Sequence, residues 1–304
     1  MLLKIVKSFL NFLSENLLFG AIFISHQIDM DITLAIPNFN GLEGLKKLLP
    51  QVTKEEFKNI YILDDCSTDK SEEYVKKFPK VTFIKGKKNL GPAGNRNRIL
   101  NYQLGDIIFF IDADMELKVR DIKNKIKILF SDKRVGVVGG KILDKKGRPM
   151  LWNYGYEMHP VRDALANEYQ KLAEKYSNKK DIIAYLRKEA IKYFYNLEIL
   201  YGEDKERIVD WVAEGNFCVR SDVFRKINGF DPNMRYHETH DFNKRVRKLG
   251  KIVKYSPMIV SRHLEIKCRK KRKKKDFENA MRYFYKKHWG MSDKIFNLLY
   301  GIKK

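Results

Sequence analysis

The segment that most constrains the fold spans residues 107–114, where five apolar residues run directly into two carboxylates one position apart: Ile-Ile-Phe-Phe-Ile-Asp-Ala-Asp. A continuous apolar run of this length predicts a strand buried on both faces of a parallel sheet. Asp112 and Asp114 would follow the carboxyl end of that strand, where open α/β sheets bind their ligands. Because the two carboxylates would point the same way and repel each other, we expect a divalent cation, Mg²⁺ or Mn²⁺, between them.

Strand-like and helical patterns alternate around this segment. The sequence predicts strands at 32–36, 60–63 and 81–84, and helices at 41–49, 71–78 and 93–104. This alternation is typical of right-handed βαβ units, so the expected fold class is α/β, with a Rossmann-like, mostly parallel sheet flanked by helices. No G-x-G-x-x-G motif follows the first predicted strand, and no P-loop motif is present, which argues against a dinucleotide-binding protein.

The strongest compositional feature is charge: 61 Lys and Arg stand against 38 Asp and Glu among 304 residues, a formal net charge of +23. Such a charge implies an anionic partner, whether nucleic acid, a phosphorylated substrate or an acidic membrane. Part of it is local, because eight of the nine residues from Lys267 to Lys275 are basic. Beside an amphipathic aromatic helix, this run favours peripheral contact with an anionic membrane; an ordinary solvated helix is the alternative.

The chain divides into three predicted regions. Residues 1–28 form an amphipathic segment that either packs on the domain or lies in a membrane interface, and its longest clean apolar stretch is too short to span a bilayer. Residues 29–263 form the main domain, with a helical insertion at about 157–208, and residues 264–304 form a basic amphipathic C-terminal tail. Three scattered cysteines and the lack of a signal-peptide cleavage site indicate a cytoplasmic location, at the cytoplasmic face of the membrane.

Four loops that follow predicted strands carry polar residues suited to one anionic ligand. They contain Pro37, Asn38 and Asn40; Asp64 and Asp65; Asn89, Gly91 and Arg96; and Asp112 and Asp114. A carboxylate can accept a hydrogen bond from a base N–H, glycine lets the backbone approach closely, and arginine can bind an anion. Together the loops predict a pocket for a nucleoside diphosphate with a divalent metal ion.

In this order, the motifs Pro-x-x-Asn, Asp-Asp-x-Ser-x-Asp, Asn-x-Gly-x-x-x-x-Arg-Asn and Asp-x-Asp resemble those of family 2 glycosyltransferases of the GT-A fold, of the rhamnosyltransferase-like kind. The resemblance covers roughly residues 31–263 and implies transfer of a sugar, with inversion, from a nucleotide-diphosphate sugar to an acceptor hydroxyl. It also implies roles for individual residues: Asp64 and Asp65 at the base, Arg96 at the diphosphate, Asp112 at the ribose or metal, and Asp114 and His263 as metal ligands.

The acceptor side departs from the family pattern. Family members often carry Glu-Asp-x-Asp, of which the second acid is frequently the general base, but this chain reads Glu-Thr-His-Asp at 238–241. Thr239 cannot take a proton at neutral pH, so Glu238 and Asp241 are the candidate catalytic residues. We favour Glu238 as the base and Asp241 as its supporting neighbour, while helix capping by Asp241 and ion pairing by Glu238 are the structural alternatives.

The expected acceptor is a glycan or a lipid-linked molecule, in the synthesis of a cell-surface polysaccharide, glycolipid or glycoprotein glycan. Two other functions fit parts of the sequence. A nucleic-acid-binding protein would use the positive charge, but carboxylates at strand ends would repel a phosphate backbone, so nucleic acid is not expected as a partner. A sugar nucleotidyltransferase would need a glycine-rich phosphate loop after the first strand, where this chain has Pro37 to Asn40.

Overall fold

The computed structural model describes residues 29–150, 153–175, 205–234, 236–265 and 274–302. The predictions for residues 1–28, for most of the insertion and for residues 267–273 of the basic run therefore lie outside the described residues. The chain splits into two compact units, Met1–Met30 and Asp31–Lys304. All helices and strands given below belong to the second unit.

The strands in the described part of the chain are β1 (Ile32–Asn38), β2 (Asn59–Asp64), β3 (Val81–Lys85), β4 (Ile107–Ile111), β5 (Met115–Leu117), β6 (Val135–Leu143), β7 (Tyr154–Gly155), β8 (Arg207–Ile208), β9 (Trp211–Val212), β10 (Asn216–Arg220) and β11 (Ile252–His263). The α-helices there are α1 (Leu42–Val52), α2 (Ser71–Val75), α3 (Gly91–Asn97), α4 (Ile122–Leu129), α5 (Pro160–Lys175), α6 (Ser221–Lys226), α7 (Glu238–Lys248), α8 (Lys274–Trp289) and α9 (Asp293–Leu299). A short 3₁₀ helix, Arg98–Asn101, continues α3.

The main sheet has the strand order β3-β2-β1-β4-β10-β6-β11-β5, with β8 paired to β11. Strands β3, β2, β1 and β4 are parallel, which confirms the predicted βαβ units and α/β class. The second half is mixed, because β10 enters antiparallel between β4 and β6 while β6 and β11 are parallel. Strands β5 and β6 have no counterpart among the elements predicted from the sequence.

A cluster of phenylalanines joins the sheet to the helices behind it. Phe110 of β4 stacks on Phe217 of β10, with ring centroids 5.0 Å apart. Phe230 stacks on Phe242 of α7 at 4.3 Å, and Phe217 meets both rings edge-on at 6.0 Å. Burying each such ring contributes roughly 1.5–3 kcal/mol. This packing fixes where α7 begins relative to the carboxyl end of β4.

Helix α1 packs directly against the Asp-Ala-Asp loop. A Cβ placed on Gly44 would lie 2.0 Å from the Ala113 carbonyl oxygen, which is closer than any side chain tolerates. The Ala113 amide also donates to the carbonyl of Pro37 at 3.2 Å. Only a glycine at position 44 therefore allows the helix to support the loop between the two aspartates.

Helices α8 and α9 of the C-terminal region pack on the domain. Phe284 and Tyr285 of α8 and Phe296 of α9 form a buried cluster with Met158 and Met234. Tyr285 also donates a hydrogen bond to the carboxylate of Asp163 in α5. Residues 274–302 are thus part of the folded core around α7, whereas the basic residues just before them lie outside the described region.

Candidate active site

The loops after β1 and β2 are tied together by side chains that the sequence singled out. Asn38 donates through Nδ2 to Asp64 Oδ1 at 2.9 Å and to Ser67 Oγ at 3.2 Å. Ser67 Oγ accepts from the Asn40 amide at 2.8 Å, and Asn40 Oδ1 accepts from the Thr68 amide at 2.8 Å. Asn38 is 2% exposed and Asp64 is 1% exposed, so these two buried side chains support the two loops from inside the domain.

Asp65 holds the third loop at the start of α3. Its Oδ1 accepts from the Leu90 amide at 2.8 Å and its Oδ2 from the Gly91 amide at 2.9 Å. Arg98 adds a contact to Oδ1 at 3.1 Å, and Asn89 Nδ2 donates to the Asp65 carbonyl at 3.1 Å. Gly91 adopts a φ of +74°, a left-handed conformation that favours glycine. Both oxygens of Asp65 thus accept hydrogen bonds within the protein, and its contact with a base stays a prediction.

Asp112 is oriented by a buried arginine. Arg96 is 1% exposed, and its Nη2 donates to Asp112 Oδ1 at 2.6 Å. The guanidinium also lies over the Phe230 ring, 5.7 Å from its centroid. Because the side chain of Asp112 is 17% exposed while Arg96 is covered, the aspartate is the member of the pair that reaches the surface. The observed contact of Arg96 is therefore with Asp112, and its contact with a diphosphate stays a prediction.

Asp114 and His263 lie side by side at the end of the sheet. The Nε2 of His263 is 3.4 Å from Asp114 Oδ2, and its Nδ1 accepts from the Glu265 amide at 3.0 Å. The hydrogen bond to Asp114 raises the pKa of His263 above its usual value, although burial opposes the shift. β11 brings His263 here because its residues 261–263 pair antiparallel with β5, which follows Asp114.

A carboxylate oxygen and an imidazole nitrogen at adjacent positions fit a divalent cation such as Mn²⁺. Within the residues that the structure describes, no group of three or more His, Cys, Asp or Glu side chains is arranged to hold a metal ion. Protein ligands from Asp114 and His263 would thus need completion by other oxygens, as is usual for metals that bind nucleotide phosphates. Asp112, held by Arg96, lies two residues from this pair.

Asp241 lies inside a cluster of positive charges. Arg245 reaches its Oδ2 at 2.8 and 2.9 Å, while Lys287 and His288 of α8 reach its Oδ1 at 2.7 and 2.8 Å. Burial favours a raised pKa for Asp241, but the hydrogen bond from His288 and the charges of Arg245 and Lys287 outweigh it and hold the pKa well below its usual range. This fully buried carboxylate is placed to anchor the start of α7.

Glu238 and Thr239 begin α7 and are each 5% exposed. Thr239 donates its hydroxyl hydrogen bond to the carboxylate of Glu214. Glu214 is more exposed than either residue and lies in the turn before β10. Glu214 follows no predicted parallel strand, so the sequence did not single it out as a candidate. The signal that could have found it is its position next to Gly215-Asn216-Phe217, within the range of the family resemblance.

The family model of Glycosyl transferase family 2 matches residues 33–194 of this chain, which is more than half of its length. The glycosyltransferase SunS of Bacillus subtilis strain 168 is 37% identical over 98 residues, which cover 31% of this chain and 22% of that protein. This chain thus spans well under two thirds of the length of the curated relatives it matches.

Solved structures agree in fold. Residues 1–349 of Staphylococcus aureus TarS superpose with a TM-score of 0.54 at 14% identity, over 89% of this chain and 69% of that one. GalNAc-T7, solved with UDP, GalNAc and Mn²⁺, gives 0.58 at 14% identity, over 91% and 55%. The expected GT-A fold is confirmed by these likenesses. Among the described residues, the helices are too short or too polar to cross a bilayer.

Proposed function

The chain belongs to glycosyl transferase family 2. We propose that it is a glycosyltransferase that transfers a sugar, with inversion, from a nucleotide-diphosphate sugar to an acceptor hydroxyl, using Mn²⁺ or Mg²⁺. The observation that carries this proposal is the pair of aspartates at the end of β4. Asp112 is aimed by buried Arg96, and Asp114 lies 3.4 Å from His263. The family match also favours a glycosyltransferase over a sugar nucleotidyltransferase or a basic nucleic-acid-binding protein.

Donor binding follows from the surrounding loops. The loops after β1, β2 and β3 are cross-linked through Asn38, Asp64 and Asp65, so their backbones form one fixed wall beside Asp112. The likeness to GalNAc-T7, a structure with UDP and Mn²⁺, supports a nucleoside diphosphate at this wall. Asp114 and His263 would hold the metal, which when bound would neutralise charge on the departing diphosphate.

Inversion requires a base on the acceptor side of the sugar. The two candidates from the sequence differ in their surroundings. Asp241 is surrounded by Arg245, Lys287 and His288, and its lowered pKa makes it a weak proton acceptor. We therefore assign Asp241 to positioning of α7, and Glu238, at 5% exposure, stays a candidate only if its carboxylate becomes accessible when an acceptor binds.

The acceptor is proposed to be a glycan or lipid-linked molecule at an anionic membrane, with the protein bound peripherally to the cytoplasmic face. Helices α8 and α9 expose large apolar side chains, with Phe277 48% exposed, Ile295 50% and Leu298 81%, and α8 follows the basic run directly in the sequence. Apolar side chains that flank basic residues fit a membrane interface, because burial and charge attraction then add. A solvated helix remains the competing interpretation of the basic run.

The membrane proposal is tested without truncation, because residues 274–302 supply partners of Asp241 and part of the core. Replacing the basic residues at 269–273 by Gln removes charge and leaves the packed helices in place. We expect binding to phosphatidylglycerol vesicles at low salt to fall at least tenfold, with binding to neutral phosphatidylcholine vesicles unaffected. Unchanged binding to the anionic vesicles would contradict membrane contact.

The reaction is tested by nucleoside diphosphate release from a panel of UDP-, GDP- and dTDP-sugars with and without Mn²⁺. Slow hydrolysis in water needs no acceptor, so at least one donor should be consumed in a metal-dependent manner. Asp112→Asn and Asp114→Asn should each reduce this turnover by about 100-fold or more, since they weaken the metal and diphosphate site. Consumption of a donor at the unmodified rate by both variants would contradict the proposal.

A further inference from the structure

We propose that Glu214 is the general base that deprotonates the acceptor hydroxyl. This inference rests on the proposed function and adds a catalytic residue to it. Three observations carry it: the position of Glu214 beside the end of β4, its hydrogen bond from Thr239, and the surroundings of the other acidic residues at the start of α7.

The sheet register places Glu214 beside the aspartate pair. Asn216 pairs antiparallel with Ile111, and the Asp112 amide donates to the Gly215 carbonyl at 3.1 Å. A Cβ placed on Gly215 would lie 2.6 Å from Met115 Cε and 3.6 Å from Asp112 Oδ2, so the backbone at position 215 passes close to the Asp112 carboxylate. Glu214 is the next residue out from the sheet, at the edge where the donor site ends and α7 begins.

Thr239 fixes the orientation of the Glu214 carboxylate. Its hydroxyl donates to Glu214 Oε2 from the first turn of α7, an eleven-residue helix. Helix N-termini also favour nearby negative charge. The contact with Thr239 thus orients the carboxylate group. Thr239 is thus a positioning residue for Glu214.

The other acids near the start of α7 are less suited to accept a proton. Asp241 is fully buried and contacts three basic side chains, which hold its pKa well below the usual range. Glu238 is 5% exposed, whereas Glu214 is partly exposed at the turn before β10. A general base must come within hydrogen-bonding distance of the attacking hydroxyl, so the accessible carboxylate beside the strand end is favoured.

The proposed step balances as follows. The acceptor oxygen attacks the anomeric carbon of the donor, and a new C–O bond forms as the bond from that carbon to the diphosphate oxygen breaks. The electron pair of the broken bond leaves with the nucleoside diphosphate. The proton of the acceptor hydroxyl passes to the Glu214 carboxylate, from which it is lost to solvent before the next turnover.

The main experiment compares Glu214→Gln with the unmodified chain, using donor hydrolysis with Mn²⁺ and the UDP-, GDP- and dTDP-sugar panel. We expect turnover to fall by about 10²- to 10⁴-fold, the usual contribution of a general base. Binding of the corresponding nucleoside diphosphate with Mn²⁺, measured by calorimetry, should change less than threefold. The matched control is Glu206→Gln: Glu206 accepts from the Ser256 hydroxyl at 2.9 Å, a similar carboxylate–hydroxyl pair outside the strand-end loops, and its loss should leave turnover unchanged.

Azide provides a second measurement, because this anion attacks carbon without first losing a proton. In a Glu214→Ala variant, azide should restore nucleoside diphosphate release to at least a tenth of the unmodified rate and yield a glycosyl azide. Failure of azide to restore release, unmodified turnover in Glu214→Gln, or loss of nucleotide binding in step with turnover would each overturn the assignment while leaving the transferase function intact. If the unmodified chain consumes no donor of the panel, the proposed function itself fails, and the role of Glu214 fails with it.

Thr239 keeps the inference testable if substitutions at position 214 prevent folding. Thr239→Val removes the hydroxyl that orients Glu214 and should lower kcat about tenfold with the donor KM unchanged. Thr239→Ser keeps the hydroxyl and should retain kcat within twofold. Equal kcat values for the Val variant and the unmodified chain would overturn the positioning role and, with it, the assignment of Glu214.

Discussion

Replacement of Asp241 by Asn tests how strongly helix α8 is held against the rest of the domain. The carboxylate receives hydrogen bonds from Arg245 of its own helix and from Lys287 and His288 of α8. Asparagine keeps the size of the side chain but removes its charge, and its amide NH₂ group would face donors instead of accepting from them. The substitution therefore removes the carboxylate that faces Arg245 and His288, while Lys287 keeps its ion pair with Asp231 at 2.6 Å.

Removing one partner of a buried ion cluster typically costs about 3–5 kcal/mol. Arg245 and Lys287 keep 20% and 28% of their side-chain surface exposed, so water can partly solvate them, and the expected loss lies near the lower end, about 3 kcal/mol. For a domain of this size, such a loss lowers Tm by roughly 6–12 °C. This is a large fraction of the roughly 5–15 kcal/mol that usually separates folded from unfolded chains.

The assay is equilibrium urea unfolding of the full chain at pH 7.5, followed by circular dichroism. Asp132→Asn serves as the control: its carboxylate pairs with Arg134 on an exposed surface, and we expect no measurable change. A loss below about 1 kcal/mol for Asp241→Asn would refute the view that this cluster anchors α8.

The pH dependence of the same variant adds a second constraint. The pKa of Asp241 is lowered on folding, so its stabilising contribution is complete above the unfolded pKa, near 3.9, and is lost only as the pH falls through the lower folded value. The difference in unfolding free energy between Asp241→Asn and the unmodified chain should thus be the same at pH 7.5 and pH 5. A difference that disappears by pH 5 would contradict the assigned shift.

Three further predictions concern the loops and His237, which is partly buried. Gly44→Ala places a methyl group 2.0 Å from the Ala113 carbonyl oxygen, so it should lower Tm and reduce metal-dependent donor turnover at least tenfold. Turnover at the unmodified rate would show that the Asp-Ala-Asp loop can shift without cost. Arg96→Met removes the 2.6 Å contact to Asp112 and should weaken calorimetric nucleoside diphosphate binding about tenfold; equal binding would exclude a role for this pair. Burial lowers the pKa of His237 to about 4 although the charge of Glu214 opposes it, so unfolding free energy should fall by up to about 3 kcal/mol between pH 6.5 and 4. His237→Asn should flatten that decline in urea midpoints, and an unchanged slope would contradict the shift.

The proposed chemistry divides between two edges of the strand-end region, one proposed to bind the donor and the other the acceptor. The donor edge is built from loops after parallel strands, where Asp112 and Asp114 lie. The acceptor edge is built from the turn before antiparallel β10 and from the start of α7, where Glu214 and Thr239 meet. Phe217 and Phe242 join the two edges through one aromatic cluster, so a substitution in that cluster is expected to disturb both binding and turnover.

The sequence by itself determined the half of this protein that we propose binds the donor. The apolar run at 107–111 is buried at every position, as its composition predicts, and the alternation of strands and helices over residues 31–104 gave the parallel half of the sheet. The sequence predicts these features because the spacing of apolar residues within a few neighbouring positions distinguishes strands from helices. The order of the four loop motifs then indicated the family, which the profile match confirmed.

Only the tertiary structure decided the half that we propose binds the acceptor. Glu214 meets Thr239 across 25 residues, and Asp241 meets His288 across 47, through packing that no local pattern encodes. The sequence favoured Glu238 as the base with Asp241 as its neighbour, whereas the folded chain encloses Asp241 in positive charge and brings Glu214 to the end of β4. The ionisation and reach of a carboxylate depend on which groups the fold packs around it, and that depends on contacts between distant segments rather than on the identity of the residue.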